Sequence, residues 1–272
     1  MSLTITGSVA LADLLTVLLG TGIDLAGTPT LVGDPTAFGT FTAAAGPLGH
    51  GDTIGFPTTM NSGILLSTGQ AITSNGPNNS DDAGTDFGRP GDAQLAAVIA
   101  TTLANTFDAA ILTVPFRSHS PLVQLPYLFA SEEYNEFVYS AFEDGMAIWL
   151  NGVNLATLPD GTPITINKIH NGNPVGVGTP SNPTYFTDND IHPANSPVYA
   201  QLDGFVGLNP AGSAPMLVQA TVVPGQVYTL RIGICDVNDG IYDSAVFLGA
   251  LQSVGIPDPA FLKSAGCPAS SF

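Results

Sequence analysis

The chain has 272 residues, and its 22 Asp+Glu against 5 Lys+Arg give a formal net charge of −17. The cations are too few and scattered (Arg89, Arg117, Lys168, Arg231, Lys263) to track a phosphate backbone, which excludes nucleic-acid binding and disfavours anionic membrane surfaces. A hydrophobic fraction of 44% supports a large core, while 31 Gly and 22 Pro favour short strands joined by tight turns over long helices.

In chain order, Thr6 or Ser8 is placed to cap an amphipathic helix running through Leu19, ended by Gly20 and Gly22. No apolar run reaches the roughly 18 residues of a membrane span, so none is expected. No Lys or Arg precedes Arg89, so the basic flank of a secretory signal is missing, and the chain reads as mature or as exported by another route. Residues 73–92 are rich in Asn, Asp and Gly and read as a long functional or exposed loop. A second helix is expected from Asp92 to Leu103, with Leu95, Val98, Ile99 and Leu103 on one face.

From there the pattern is strand. Segments 109–116, 145–150, 163–169, 217–223 and 245–251 join two stretches of clear alternation. In one, Val123, Leu125, Tyr127 and Phe129 share a face; in the other, Tyr228, Leu230, Ile232 and Ile234 do. At least seven strands without alternating helices predict an all-β, jelly-roll-like two-sheet sandwich with one or two short helices. One domain spans 1–255, and 256–272 forms a C-terminal extension. Residues 170–200 read as a second long loop. Cys235 and Cys267 are the only cysteines; they make no zinc site, and the open alternatives are one disulfide or two separate thiols.

Two acidic clusters stand at strand ends. The first contains Glu132, Glu133 and Glu136 in SEEYNEFV; the second contains Asp236, Asn238, Asp239 and Asp243 in DVNDGIYDSAVF. Carboxylates this close repel one another unless a positive charge joins them. Hard oxygen ligands drawn unevenly from loops suit Ca²⁺, which takes six to eight oxygens in flexible geometry. The second cluster is not an EF-hand: counting from Asp236, Gly240 stands fifth instead of sixth and Phe247 occupies the place of the closing Glu. Glu132, Glu133, Glu136, Asp236, Asp239, Asp243 and Asn238 are therefore the expected metal ligands. Asp108 and Asp144 lie near enough to strand edges to join them, and Asp81, Asp82 and Asp86 are candidates for a further Ca²⁺ site.

No catalytic constellation is expected. The histidines (His50, His119, His170, His192) form no close metal-binding pair, and adjacent Glu132 and Glu133 do not span a glycosidase cleft. Trp149 reads as core, with a sugar-stacking platform as the alternative.

Five ordered segments also carry a resemblance. NSGILLSTG (61–69), FDAAIL (107–112), FASEEY (129–134), DGF (203–205) and the run 236–247 together resemble the choice-of-anchor L domain family over about residues 8–253. The resemblance implies one secreted or surface-attached microbial β-sandwich, extracellular or on the cell surface, with no defined enzymatic activity. Such domains usually precede an anchor, whereas this sequence shows no apolar anchor or sorting motif up to Phe272. The expected partners are therefore copies of the chain itself, in a homo-oligomer or filament, or a cell-surface or glycan partner. Phe261, Leu262 and Phe272 are the tail residues suited to a neighbour's sheet edge.

Overall fold

The computed structural model describes residues 3–43, 60–173, 177–191, 200–207 and 215–255, and the extension at 256–272, with Cys267, lies outside these. The chain begins with β1 (Leu3–Gly7), α1 (Leu11–Leu18), β2 (Ile23–Leu25), β3 (Thr30–Val32), β4 (Phe38–Ala43), β5 (Ser62–Ser67) and α2 (Ala93–Ile99). Two long strands follow, β6 (Thr106–Ser118) and β7 (Leu122–Ser131), then β8 (Gly145–Leu150), β9 (Val153–Asn154), β10 (Ile164–Thr165), β11 (Phe186–Asp188) and β12 (Gly204–Val206). The series closes with β13 (Met216–Thr221), β14 (Tyr228–Val237), β15 (Ser244–Leu248) and β16 (Gln252–Val254).

These strands make a two-sheet sandwich. The larger sheet runs β1-β4-β5-β15-β7-β12-β11, with β13 and β16 also on β7; the smaller runs β10-β8-β14-β6-β2, with β3 on β6 and β9 on β8. The chain crosses between sheets from β6 to β7, from β7 to β8 and from β14 to β15. This exchange is what a jelly-roll-like sandwich requires.

Period-2 alternation decides which side chains meet. Val123, Leu125, Tyr127 and Phe129 of β7 face Leu230, Ile232 and Ile234 of β14 and Leu112, Val114 and Phe116 of β6 across one buried core, into which α1 adds Leu14 and Leu18. The larger sheet's opposite face is buried too: Leu65, Leu128, Ala130, Phe205 and Phe247 pack with Phe41, Ala71, Ala200 and Leu202. The smaller sheet's outer face is covered by α2, whose Leu95 and Ile99 meet Ile111, Ala147, Trp149, Cys235 and Val237. Trp149 is 3% exposed beneath the Arg231 guanidinium, so it is core and offers no platform to a sugar.

Several local expectations are corrected. Neither Thr6 nor Ser8 caps α1. Thr6 belongs to β1, where buried Leu3 and Ile5 pair with β4, and the helix starts after Ala10 without a side-chain cap. Tertiary pairing outweighs the local signal there. Asp92 does cap α2, accepting from the Gln94 and Leu95 amides at 3.0 Å each. The helix ends at Ala100, in the left-handed region (φ 65°), so Leu103 falls beyond it and is 52% exposed. Of segment 163–169 only Ile164–Thr165 is strand, and β15 stops at Leu248.

Candidate metal centre

The site stands at one end of the sandwich, where the interior columns run out. Past Ile234, the next inward position of β14 is Asp236. Ahead of Met146 in β8 it is Asp144, and ahead of Ala110 in β6 it is Asp108. The larger sheet places Ser131 after Phe129 and Ser244 before Val246. Register holds these ends level, with Ser244 opposite Ser131 and Gly145 opposite Cys235. Ser244 Oγ lies 2.7 Å from Asp144 Oδ2 and 2.8 Å from Ser131 Oγ, which ties the two sheets together. The Val237 amide donates to Asp144 Oδ1 at 2.9 Å. Beside it, Asp236 is 2% exposed and neither of its oxygens makes a well-formed hydrogen bond, although Asp144 and the Thr68 hydroxyl lie close enough to act on its titration.

The acidic turn after β7 closes over this end. The Glu133 amide donates to Ser131 Oγ at 2.9 Å, and the Glu132 amide donates to the Asp243 carbonyl at 3.0 Å. The two sequence clusters thus meet through the backbone. Their side chains part: Glu133 lies nearest the charges of Asp144, Asp239 and Glu136, whereas Glu132 faces Asp203. Glu132 is fully buried with neither oxygen in a well-formed hydrogen bond, and Glu133 Oε2 also lacks one.

Electrostatics follows from burial. Loss of water pushes the Glu132 carboxyl up to about 11, with the Asp203 charge adding to it, and Glu133 up to about 9, helped by Asp144 and Asp239. Burial likewise raises Asp203 to about 8 and Asp144 and Asp243 to about 7. Asp236, buried beside Asp144, is also driven well above the usual carboxylate range. Among the described residues no Lys, Arg or His forms an ion pair with this group. Arg89 pairs with Asp34 and Arg231 with Asp92, each at 2.7 Å, and His119 pairs with Asp24 at 2.9 Å. His170 is buried, which lowers its pKa, and its Nδ1 accepts from the Gly172 amide.

The remaining expected ligands divide. Asp243 is 2% exposed, but its oxygens already accept from the Thr85 amide (2.8 Å) and the Thr73 hydroxyl (3.1 Å). Asp108 likewise accepts from the Phe87 and Arg89 amides, at 2.9 and 2.6 Å. Both carboxylates pin the 83–90 segment as well as facing the acidic end. Asp239 is half-buried and accepts from the Ile241 amide at 3.3 Å. Asn238 is exposed, left-handed (φ 74°), and its amide donates to the Ala141 carbonyl, so it points away from the buried carboxylates. Glu136 is exposed near Asp190, Asp81 and Asp188.

Asp81, Asp82 and Asp86 do not converge. Asp82 accepts from Ser80 and Asp86 from the Gly88 amide, while Asp81 joins Asp190 and Asp203. Sequence reasoning did not assemble that last trio, although DGF had marked Asp203. Cys235 is buried and is bonded to no described residue, Cys267 lying outside the described residues.

The fold is an all-β two-sheet sandwich in which the buried ends of strands carry carboxylates. The profile of the choice-of-anchor L domain matches residues 27–253, and the chain belongs to that family. Membership marks a surface or extracellular protein. No helix among the described residues is long and apolar enough to cross a membrane. No curated protein sequence matches the chain. Among solved structures, it is similar to a β-glucosidase from Kluyveromyces marxianus in complex with glucose, at 11% identity over 82% of this chain and 19% of that one, with a TM-score of 0.25. The chain spans about a fifth of that protein's length, and a likeness so slight carries no argument.

Proposed function

We propose that this is a non-catalytic extracellular module whose acidic end is locked by Ca²⁺, and that the rigid sandwich so formed serves adhesion or self-assembly at a surface. The observation that carries this reading is Asp236, buried beside Asp144 and Thr68, with neither oxygen in a well-formed hydrogen bond and no described cation near it. A buried carboxylate left in that condition costs several kcal/mol. Oxygen-only ligands from loops and strand ends suit a hard, flexible-geometry ion better than a transition metal. Asp144 and Asp236 would hold it; the oxygens of Glu133, Asp144 and Asp236 do not all lie within 4.8 Å of one another, so Glu133 would turn inward to join them, with Asp239 at the rim. The ion would turn mutual repulsion into a cross-link between the two sheets. Catalysis is a poor fit, because Glu132, Asp144, Asp203 and Asp236 are at most 2% exposed and out of a substrate's reach.

Thermal unfolding of the full chain after chelation, then with Ca²⁺ or Mg²⁺ restored, tests the metal. Ca²⁺ is expected to raise Tm, Mg²⁺ much less, and Glu133→Gln to blunt the rise. An unchanged Tm refutes the ion. Sedimentation and negative-stain electron microscopy with and without Ca²⁺ test assembly, for which oligomers or filaments are expected. A monomer under both conditions, with no retention on cells or glycan-coated surfaces, refutes the adhesive or assembling role.

A further inference from the structure

The outer face of the larger sheet carries a second group of oxygens. Asp203 directly precedes β12, Asp190 follows β11 by two residues, and Asp81 lies in the Asn-rich loop, 109 positions before Asp190. One carboxylate oxygen from each lies within 4.8 Å of the other two, and among the described residues no other such trio occurs.

Acidic neighbours alone prove nothing, but the groups behind them are buried and incomplete. Asp203 is fully buried. Its Oδ1 accepts from Asn78 Nδ2 at 2.6 Å, whereas Oδ2 has no donor. Glu132, fully buried and facing Asp203 and the Gln201 amide, makes no well-formed hydrogen bond with either oxygen. Asn189 spends its Nδ2 on the Ala200 and Leu202 carbonyls, at 3.1 and 2.7 Å, which leaves a buried Oδ1 unpartnered. An oxygen that is kept from water and offered no hydrogen bond is a costly defect in a folded protein unless a ligand completes it.

The surroundings are preorganised. Gln201 Nε2 donates to Asn78 Oδ1 at 3.0 Å and to the Ser80 carbonyl at 2.8 Å, and Asn78 Nδ2 also reaches the Asn189 carbonyl at 2.9 Å. The Asn189 amide closes onto the Asp203 carbonyl at 2.7 Å. Amide side chains thus hold three loops in place and turn Asp203 so that only one of its oxygens is consumed. Asp81 is exposed and Asp190 half-buried, so the group opens to solvent on that side.

We infer that Asp81, Asp190 and Asp203, backed by Glu132, form a second Ca²⁺ site, separate from the interior group at Asp144 and Asp236 and open to solvent. This rests on the reading that the acidic end takes Ca²⁺. Oxygens bound to one Ca²⁺ ion at about 2.4 Å stand at most about 4.8 Å apart, so the spacing of the trio is compatible with one shared ion. Mg²⁺ demands a tighter octahedron of oxygens at about 2.1 Å, which irregular loops supply poorly. The open side leaves coordination positions to water, so this ion exchanges faster than the enclosed one.

The test is Ca²⁺ stoichiometry by equilibrium dialysis on chelated full-length protein, for wild type, Asp81→Asn/Asp190→Asn and Asp236→Asn. Wild type is expected to show two classes of ion. The double variant loses the faster-exchanging class, or binds it at least tenfold more weakly, while keeping the slower class as in wild type; Asp236→Asn loses the slower class. If the double variant binds Ca²⁺ as wild type does, the second site is overturned and the interior reading stands. If wild type binds no Ca²⁺, both fall.

Discussion

Removing divalent ions is predicted to invert the usual pH dependence of stability. Asp144 and Asp243 are raised to about 7, Asp203 to about 8 and Glu133 to about 9 by burial, against ordinary values of 3.8 for Asp and 4.5 for Glu. The folded state therefore keeps protons that the unfolded chain releases. The resulting stabilisation is fully present below about pH 4 and is lost as pH climbs through the folded values. Each retained proton contributes a slope of about −1.4 kcal/mol per pH unit. Two such protons, one on either side of the larger sheet, make about 5 kcal/mol between about pH 5 and pH 7, comparable with a domain's entire stability. Bound Ca²⁺ takes the place of those protons, so with saturating ion the slope flattens or reverses. Urea midpoints of metal-stripped and Ca²⁺-loaded protein across about pH 5 to 8 measure both slopes. A stripped protein that grows more stable as pH rises would refute the premise that these carboxylates lack internal compensation.

Three further outcomes follow from the same geometry. Asp236→Asn replaces a buried carboxyl that must hold a proton in the stripped folded state with a neutral amide of the same shape, so its urea midpoint in chelator is expected to equal or exceed wild type, and its gain on adding Ca²⁺ to shrink; a full Ca²⁺ gain contradicts the assignment. Gly69→Ala sets a Cβ into the Asp243 carboxylate and is expected to lower stability by about 2 kcal/mol or more in thermal melts, both with Ca²⁺ and without. Asp92→Ala removes the α2 cap and the Arg231 partner together and is expected to cost about 1–2 kcal/mol in urea unfolding, with no change in Ca²⁺ binding.

Much of the architecture was legible in local pattern. The alternations of β7 and β14 announce strands with one face in the core, and Asp92 three residues before Leu95 announces the start of α2. The meeting of the two acidic clusters was also foreseeable, since each closes a strongly apolar strand. Other features were hidden because partners distant in sequence decide them. β1 absorbs the predicted helix cap by pairing with β4, a choice that residues 3–19 do not contain. Asp81, Asp190 and Asp203 meet only because β11 and β12 extend the larger sheet beside the 75–86 loop. Asp144 and Asp236 had a readable signal: extending the inward period of β8 and β14 by one step lands on each of them. Spacing alone did not reveal that Asn238 is left-handed and spends its Nδ2 on the Ala141 carbonyl.

The most direct measurement is an anomalous difference map from crystals of the full chain grown with Ca²⁺ or soaked with Tb³⁺. The account predicts a strong peak between Asp144 and Asp236, in direct contact with the Asp236 oxygens, with Glu133 turned inward to meet it. A flat map there, with those carboxylates satisfied by shared protons or protein donors, would contradict it.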